Sequence, residues 1–138
     1  MKQFVFLFIF LLSSAAFGQQ VKEPDNLQKA YVKRSMQIYT EVDTPPVYST
    51  RATFEETLTN KIQADSIAEK GKKTSVITFV IEKNGSMEDI KVSGPNASFN
   101  EEVKRAISTM KNRWNTAGKI YGYKVRYQYK TSFSYTFK

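Results

Sequence analysis

The chain has 138 residues and a formal charge of +8, and it contains neither histidine nor cysteine. Lacking histidine excludes the commonest general base, the commonest zinc ligand and any Ser-His or Cys-His nucleophile pair. Lacking cysteine, an exported form must hold together by packing alone. The lysines are scattered singly or in pairs, which reads as a solvated surface rather than a nucleic-acid arm.

The amino terminus has the pattern of a secretory signal peptide. Lys2 supplies the positive start, Phe4 to Leu12 are all apolar, and Ala16-Phe17-Gly18 is a small-x-small cleavage site. The expected cut lies between Gly18 and Gln19, so residues 1–18 are a signal peptide and the charge falls from +8 to +7 with Lys2. An uncleaved anchor is the rival reading, but the apolar run is shorter than the roughly 20 residues a membrane helix needs. No other segment is apolar enough to span. About 120 residues remain, enough for one domain. Residues 19–35, with Pro24, Asp25 and Asn26, read as a flexible lead-in.

Met36 to Val42 alternate weakly and read as a short edge strand, closed by Thr44-Pro45-Pro46. Thr53 and Glu56 form a capping box, and Phe54, Leu58 and Ile62 recur at helical spacing, with Ile67 and Ala68 as a continuation before Gly71. Thr74 to Glu82 is rich in β-branched residues, Asn84-Gly85 is a tight-turn signal, and Ile90 and Val92 mark the returning strand. Ser98 and Glu101 repeat the capping box, and Phe99, Val103, Ala106, Ile107 and Met110 make one stripe. Trp114 follows, and its large ring is expected to anchor the core.

From Tyr123 to Lys138 aromatic or apolar residues alternate with charged or hydroxylic ones. Period two is the signature of a strand, with one aromatic face to pack under the helices. A strand of this length would span roughly 50 Å and must bend, bulge or project beyond its sheet. The order helix, hairpin, helix, strand predicts an α+β fold, two helices packed on one face of a small antiparallel three-stranded sheet.

Catalytic and metal patterns are weak. Glu55-Glu56 and Glu101-Glu102 are paired acids, but both are expected in first helical turns, where acids favour the helix dipole. Glu88 and Asp89 lack the spacing of a calcium loop, and nothing resembles a phosphate-binding loop. Tyrosines and lysines interleave from Tyr121 to Lys130, yet a strand puts rings and charges on opposite faces, which does not suit a nucleic-acid stacking platform. The reading is a non-enzyme with no cofactor, no metal and no nucleic-acid partner. A membrane barrel fails on strand count, since two segments are capped helices.

Several stretches together resemble the C-terminal domain of TonB-type energy-transducing proteins. They are Ile38-Tyr39-Thr40-Glu41-Val42-Asp43-Thr44-Pro45-Pro46 as lead-in, Ser66 to Gly71 at the end of the first helix, and Val80 to Ser86 with Asp89 to Val92 as hairpin. Phe99 to Trp114 resembles the second helix with its terminal tryptophan, and Tyr135-Thr136-Phe137 resembles the last strand. The resemblance covers roughly residues 36–138, taken as one domain. Departures are Ser49-Thr50-Arg51 for a Pro-Gly-Gly, Ile62-Gln63 for a Tyr-Pro, and Thr116 for a proline. The membrane anchor and long spacer of a full transducer are also not expected here.

The resemblance implies a periplasmic, non-catalytic module to which a segment of an outer-membrane receptor or another envelope protein adds as a strand, with a possible part in TonB-dependent transport. With the aromatic face buried, Lys124, Arg126, Gln128 and Lys130 face outward and favour an acidic partner. The alternative is that the long strand pairs with its own copy in a structural homodimer of the cell envelope, leaving no open peptide site.

Overall fold

In a computed structural model, residues 35–138 are described, and Ile38–Lys138 form one compact unit. The signal-peptide reading (1–18) and all but the last residue of the lead-in (19–35) lie outside the described residues. The elements are β1 (Ile38–Tyr39), α1 (Phe54–Lys61), β2 (Gly71–Ile81), β3 (Met87–Ser93), α2 (Ala97–Ser108), β4 (Lys119–Ile120), β5 (Tyr123–Lys124) and β6 (Arg126–Phe137). The fold is α+β. Its main sheet has four strands in the order β1-β6-β2-β3, and β4-β5 form a separate two-stranded sheet.

The expected three-stranded antiparallel sheet is therefore enlarged. β1 joins it parallel to β6, through Ile38 opposite Arg126 and Tyr39 opposite Tyr127. The weak alternation before the Pro-Pro pair does form an edge strand, but only over Ile38–Tyr39.

β2 and β6 pair antiparallel from Gly71 opposite Phe137 to Ile81 opposite Tyr127. Directly opposed residues share a face, so Ser75, Ile77, Phe79 and Ile81 stand with Phe133, Tyr129 and Tyr127. Both helices cover this face. Phe54 of α1 packs 5.2 Å from Phe79 and 5.9 Å from Tyr129, ring centre to ring centre. Phe99 of α2 lies 6.1 Å from Phe133 and 5.9 Å from Phe137. Trp114 joins the same core, stacked 5.8 Å from Phe54 and edge-on to Tyr48 at 5.4 Å. Phe54, Leu58, Ile77, Phe79, Phe99 and Val103 are each at most 1% exposed.

The helix ends divide between expectation and correction. Thr53 caps α1 as expected, its hydroxyl accepting from the Glu56 N–H while the Glu56 carboxylate accepts from the Thr53 N–H. α1 stops at Lys61, however, and Ile67 reaches the core from a loop instead of a continuing helix. What ends it is tertiary: the Glu102 carboxylate accepts the Gln63 N–H at 2.8 Å, and Arg105 donates to the Lys61 carbonyl at 2.9 Å. α2 is capped by Asn96, whose side chain accepts from the Phe99 N–H, and not by Ser98. Asparagine is as good a cap as serine, and it stands directly after Gly94-Pro95. Glu102 consequently lies beyond the first turn, buried and held by Arg105 at 2.7 and 2.8 Å, rather than exposed to the helix dipole.

The hairpin turns at Asn84-Gly85 as the sequence predicts. Gly85 has φ 86°, and a Cβ there would come within 2.4 Å of the Trp114 carbonyl oxygen, so no other residue fits. β3 carries a bulge, in which Asp89 and Ile90 together oppose Phe79, with Asp89 at φ 55°.

The largest correction concerns the carboxy-terminal run. It is not one strand. Tyr123–Lys124 pair with Lys119–Ile120 across the turn Tyr121-Gly122, and the Val125 N–H donates to the Gly118 carbonyl at 3.0 Å. From Arg126 the chain enters the main sheet. The alternation stays in phase, but the ladder changes partner at Val125.

Candidate functional site: the open edge of the last strand

β6 is an inner strand over its first two residues and an edge strand thereafter. β2 pairs with it along one side for almost its whole length, and β1 covers the other side only at Arg126 and Tyr127. Among the described residues, no strand or loop backbone pairs with that side from Gln128 to Phe137. An edge strand presents alternate N–H and C=O groups outward, a row able to accept another strand. This edge holds an unbroken register with β2 and has no proline, and Phe99 stacks on Phe133 beneath it.

The four residues expected to bind a partner fall into three situations. Gln128 and Lys130 alternate on the face opposite the helices, across from Val80 and Thr78, with Lys130 exposed and Gln128 half-buried. Arg126 stands on that face too, but its guanidinium clasps Glu82, with Nε 2.9 and 3.1 Å from the two carboxylate oxygens and Nη2 2.9 Å from one of them. These hydrogen bonds raise the Arg126 pKa above its ordinary value. Lys124 lies beyond the break at Val125, exposed in the small hairpin. The structure thus brings Arg126, Gln128 and Lys130 together on one face and sets Lys124 apart from them.

The helix-side face of the same strand borders a pocket that the sequence reading missed. It has a volume of about 220 Å³ and opens where Val47 and Tyr48 meet the first turn of α1, with Trp114 and Tyr129 as further walls. Glu55 lies in the first turn of α1 as the sequence predicts, and it also accepts the Tyr129 hydroxyl. Burial, and then this bond to Glu55, push the Tyr129 pKa well above the usual tyrosine range. Trp114 Nε1 is buried without a hydrogen-bond partner. No sequence signal joined Tyr48, Glu55, Trp114 and Tyr129, which come from a loop, a helix, a second loop and a strand.

Asp89, weighed as a calcium ligand, pairs with Lys91 at 3.5 Å. Among the described residues, no helix is long and apolar enough to cross a membrane. Comparison with known protein families, with curated proteins and with solved structures finds nothing that matches this chain.

Proposed function

We propose that the chain is a non-catalytic periplasmic binding module, akin to TonB C-terminal domains, that captures a segment of an outer-membrane receptor or other envelope protein by strand addition. The observation that carries this reading is the edge of β6 from Gln128 to Phe137, long, in unbroken register with β2, and unpaired on its other side among the described residues. The helix–hairpin–helix–strand order α1-β2-β3-α2-β6 supports the resemblance from which the reading began. An added strand gains affinity from backbone hydrogen bonds and selectivity from its alternate side chains. On the open face those side chains meet Gln128 and Lys130, which favours an acidic residue there. On the helix side they meet the pocket beside Tyr129. Arg126 contributes positive charge from within its Glu82 clasp, and Lys124 takes no part in this surface.

The absence of native cysteine makes a direct test simple. Ser132→Cys on β6 and Lys91→Cys on β3, each carrying a thiol-linked photo-crosslinker, report the two sheet edges separately in the cell envelope. The expected result is an adduct to another envelope polypeptide from Ser132→Cys and none from Lys91→Cys. Adducts only to a second copy from Ser132→Cys would replace this reading with the self-paired dimer. Equal labelling from both positions would remove the special status of β6.

A further inference from the structure

The hairpin β4-β5 breaks three rules of local stability at once. Its two-residue turn has Tyr121 at φ 50° and Gly122 at φ 81°, the type I′ geometry that favours Asn, Asp or Gly at both positions. A tyrosine in the left-handed region is strained, and this one gains no packing in return, being 87% exposed. Tyr123, two residues on, is 77% exposed. Behind them Lys119 and Lys124 stand directly opposite each other, a like-charge pair that weakens a two-stranded ladder. Neither lysine forms a salt bridge among the described residues.

The hairpin is nonetheless held firmly. The Asp43 carboxylate accepts the Tyr121 N–H at 2.8 Å, and Thr44 and Lys119 exchange backbone hydrogen bonds of 3.0 and 3.1 Å. Strained, exposed and repelling groups on a fixed support are what a contact surface retains at the expense of stability.

We propose that this hairpin tip is a docking site for an anionic membrane surface. The turn is convex, so it offers no groove to a peptide or sugar, but it can enter a lipid interface tip first. Tyrosine rings settle at the headgroup level, apolar body inward and hydroxyl outward. Tyr121 and Tyr123 would occupy that depth with Ile120 beside them. Lys119 and Lys124, one strand position further back, then reach the lipid phosphates and lose their mutual repulsion. The site uses Lys124, the basic residue that the break at Val125 removes from the β6 surface, and it does not depend on strand addition at that edge.

The test is co-sedimentation of the full chain with phosphatidylcholine vesicles, with and without about one-third phosphatidylglycerol. The wild type is expected to partition onto the anionic vesicles and to be released by salt. Lys119→Gln and Lys124→Gln should each lower partitioning about fivefold, the worth of one lysine near an anionic surface. Tyr121→Asn relieves the turn, so it should leave the melting temperature unchanged or raised while partitioning falls, a separation that a merely structural role would not give. A second preparation beginning at Gln19 removes the apolar run at the amino terminus, so that binding by that run is measured apart from binding by the tip. Equal partitioning of wild type and variants, equal affinity for zwitterionic vesicles, or no vesicle binding at all would each overturn the proposal. So would capture of the wild type by polyglutamate beads but not by anionic vesicles, which would assign the tip to an acidic protein.

Discussion

The two edges of the main sheet are treated in opposite ways. β3 is short, and its bulge at Asp89-Ile90 twists it out of register. It sets Glu88, Asp89 and Lys91 along its length, and the Met87 N–H is already given to the Asn112 carbonyl. Charge, irregularity and covered ends are the usual defences of an edge against unwanted pairing. Beyond Tyr127, β6 has one exposed charge, Lys130, and neither a bulge nor a covered backbone among the described residues. It is long and in unbroken register with β2, its open face bears Ser132, Ser134 and Thr136 past Lys130, and its helix side packs against aromatic rings. This contrast supports the proposal that β6, the less defended edge, is the one that accepts a partner strand.

The sharpest way to break this contrast is to remove the packing beneath β6. Val103 is fully buried in α2, and Val103→Asp places an unpaired carboxylate in the core; it should cost several kcal/mol and abolish cooperative melting. A wild-type melting curve would mean that α2 does not support the edge as described.

A smaller loss is expected from the clasp that joins α2 to the end of α1. Hydrogen bonds from Arg105, chiefly, hold the Glu102 pKa below its ordinary 4.5 despite burial. A depressed carboxylate stabilises the fold above its unfolded value, and that stabilisation drains away as pH falls through the folded one. Acid titration should therefore destabilise the wild type below about pH 4.5 more steeply than Glu102→Gln. The variant itself should be about 2 kcal/mol less stable at neutral pH in denaturant melts, the scale of hydrogen bonds to a charged group.

Arg126→Glu separates the inner from the open part of β6. Because Arg126 binds Glu82, the swap sets two carboxylates together and should cost about 1–2 kcal/mol. A surface charge change would cost no more than about 0.5 kcal/mol, and that is the expectation for Lys130→Glu. The smallest stability effect thus belongs to the variant most informative about binding. Lys130→Glu should melt like the wild type yet weaken crosslinking of the Ser132→Cys probe to its partner and flatten the salt dependence. Unchanged capture and salt response would place the partner elsewhere than on this face.

Where periodicity or a local cap sets the outcome, the sequence alone determined it. Thr53 and Glu56 start α1, Asn84-Gly85 turns the hairpin, Trp114 enters the core, and alternation sends Phe133 and Phe137 beneath α2. All of these depend on residues within a few positions of one another or on a simple in-out pattern. Alternation says which face a side chain takes, but not which strand its backbone pairs with. The break at Val125 is invisible in it, because Tyr123 and Tyr127 keep the same phase on two different ladders. Three further features were decided by contacts distant in sequence: the parallel β1, the Glu102–Arg105 clasp on α1, and the Arg126–Glu82 pair. Whether an edge is free is likewise a property of the assembled sheet, since it depends on where every other strand has gone.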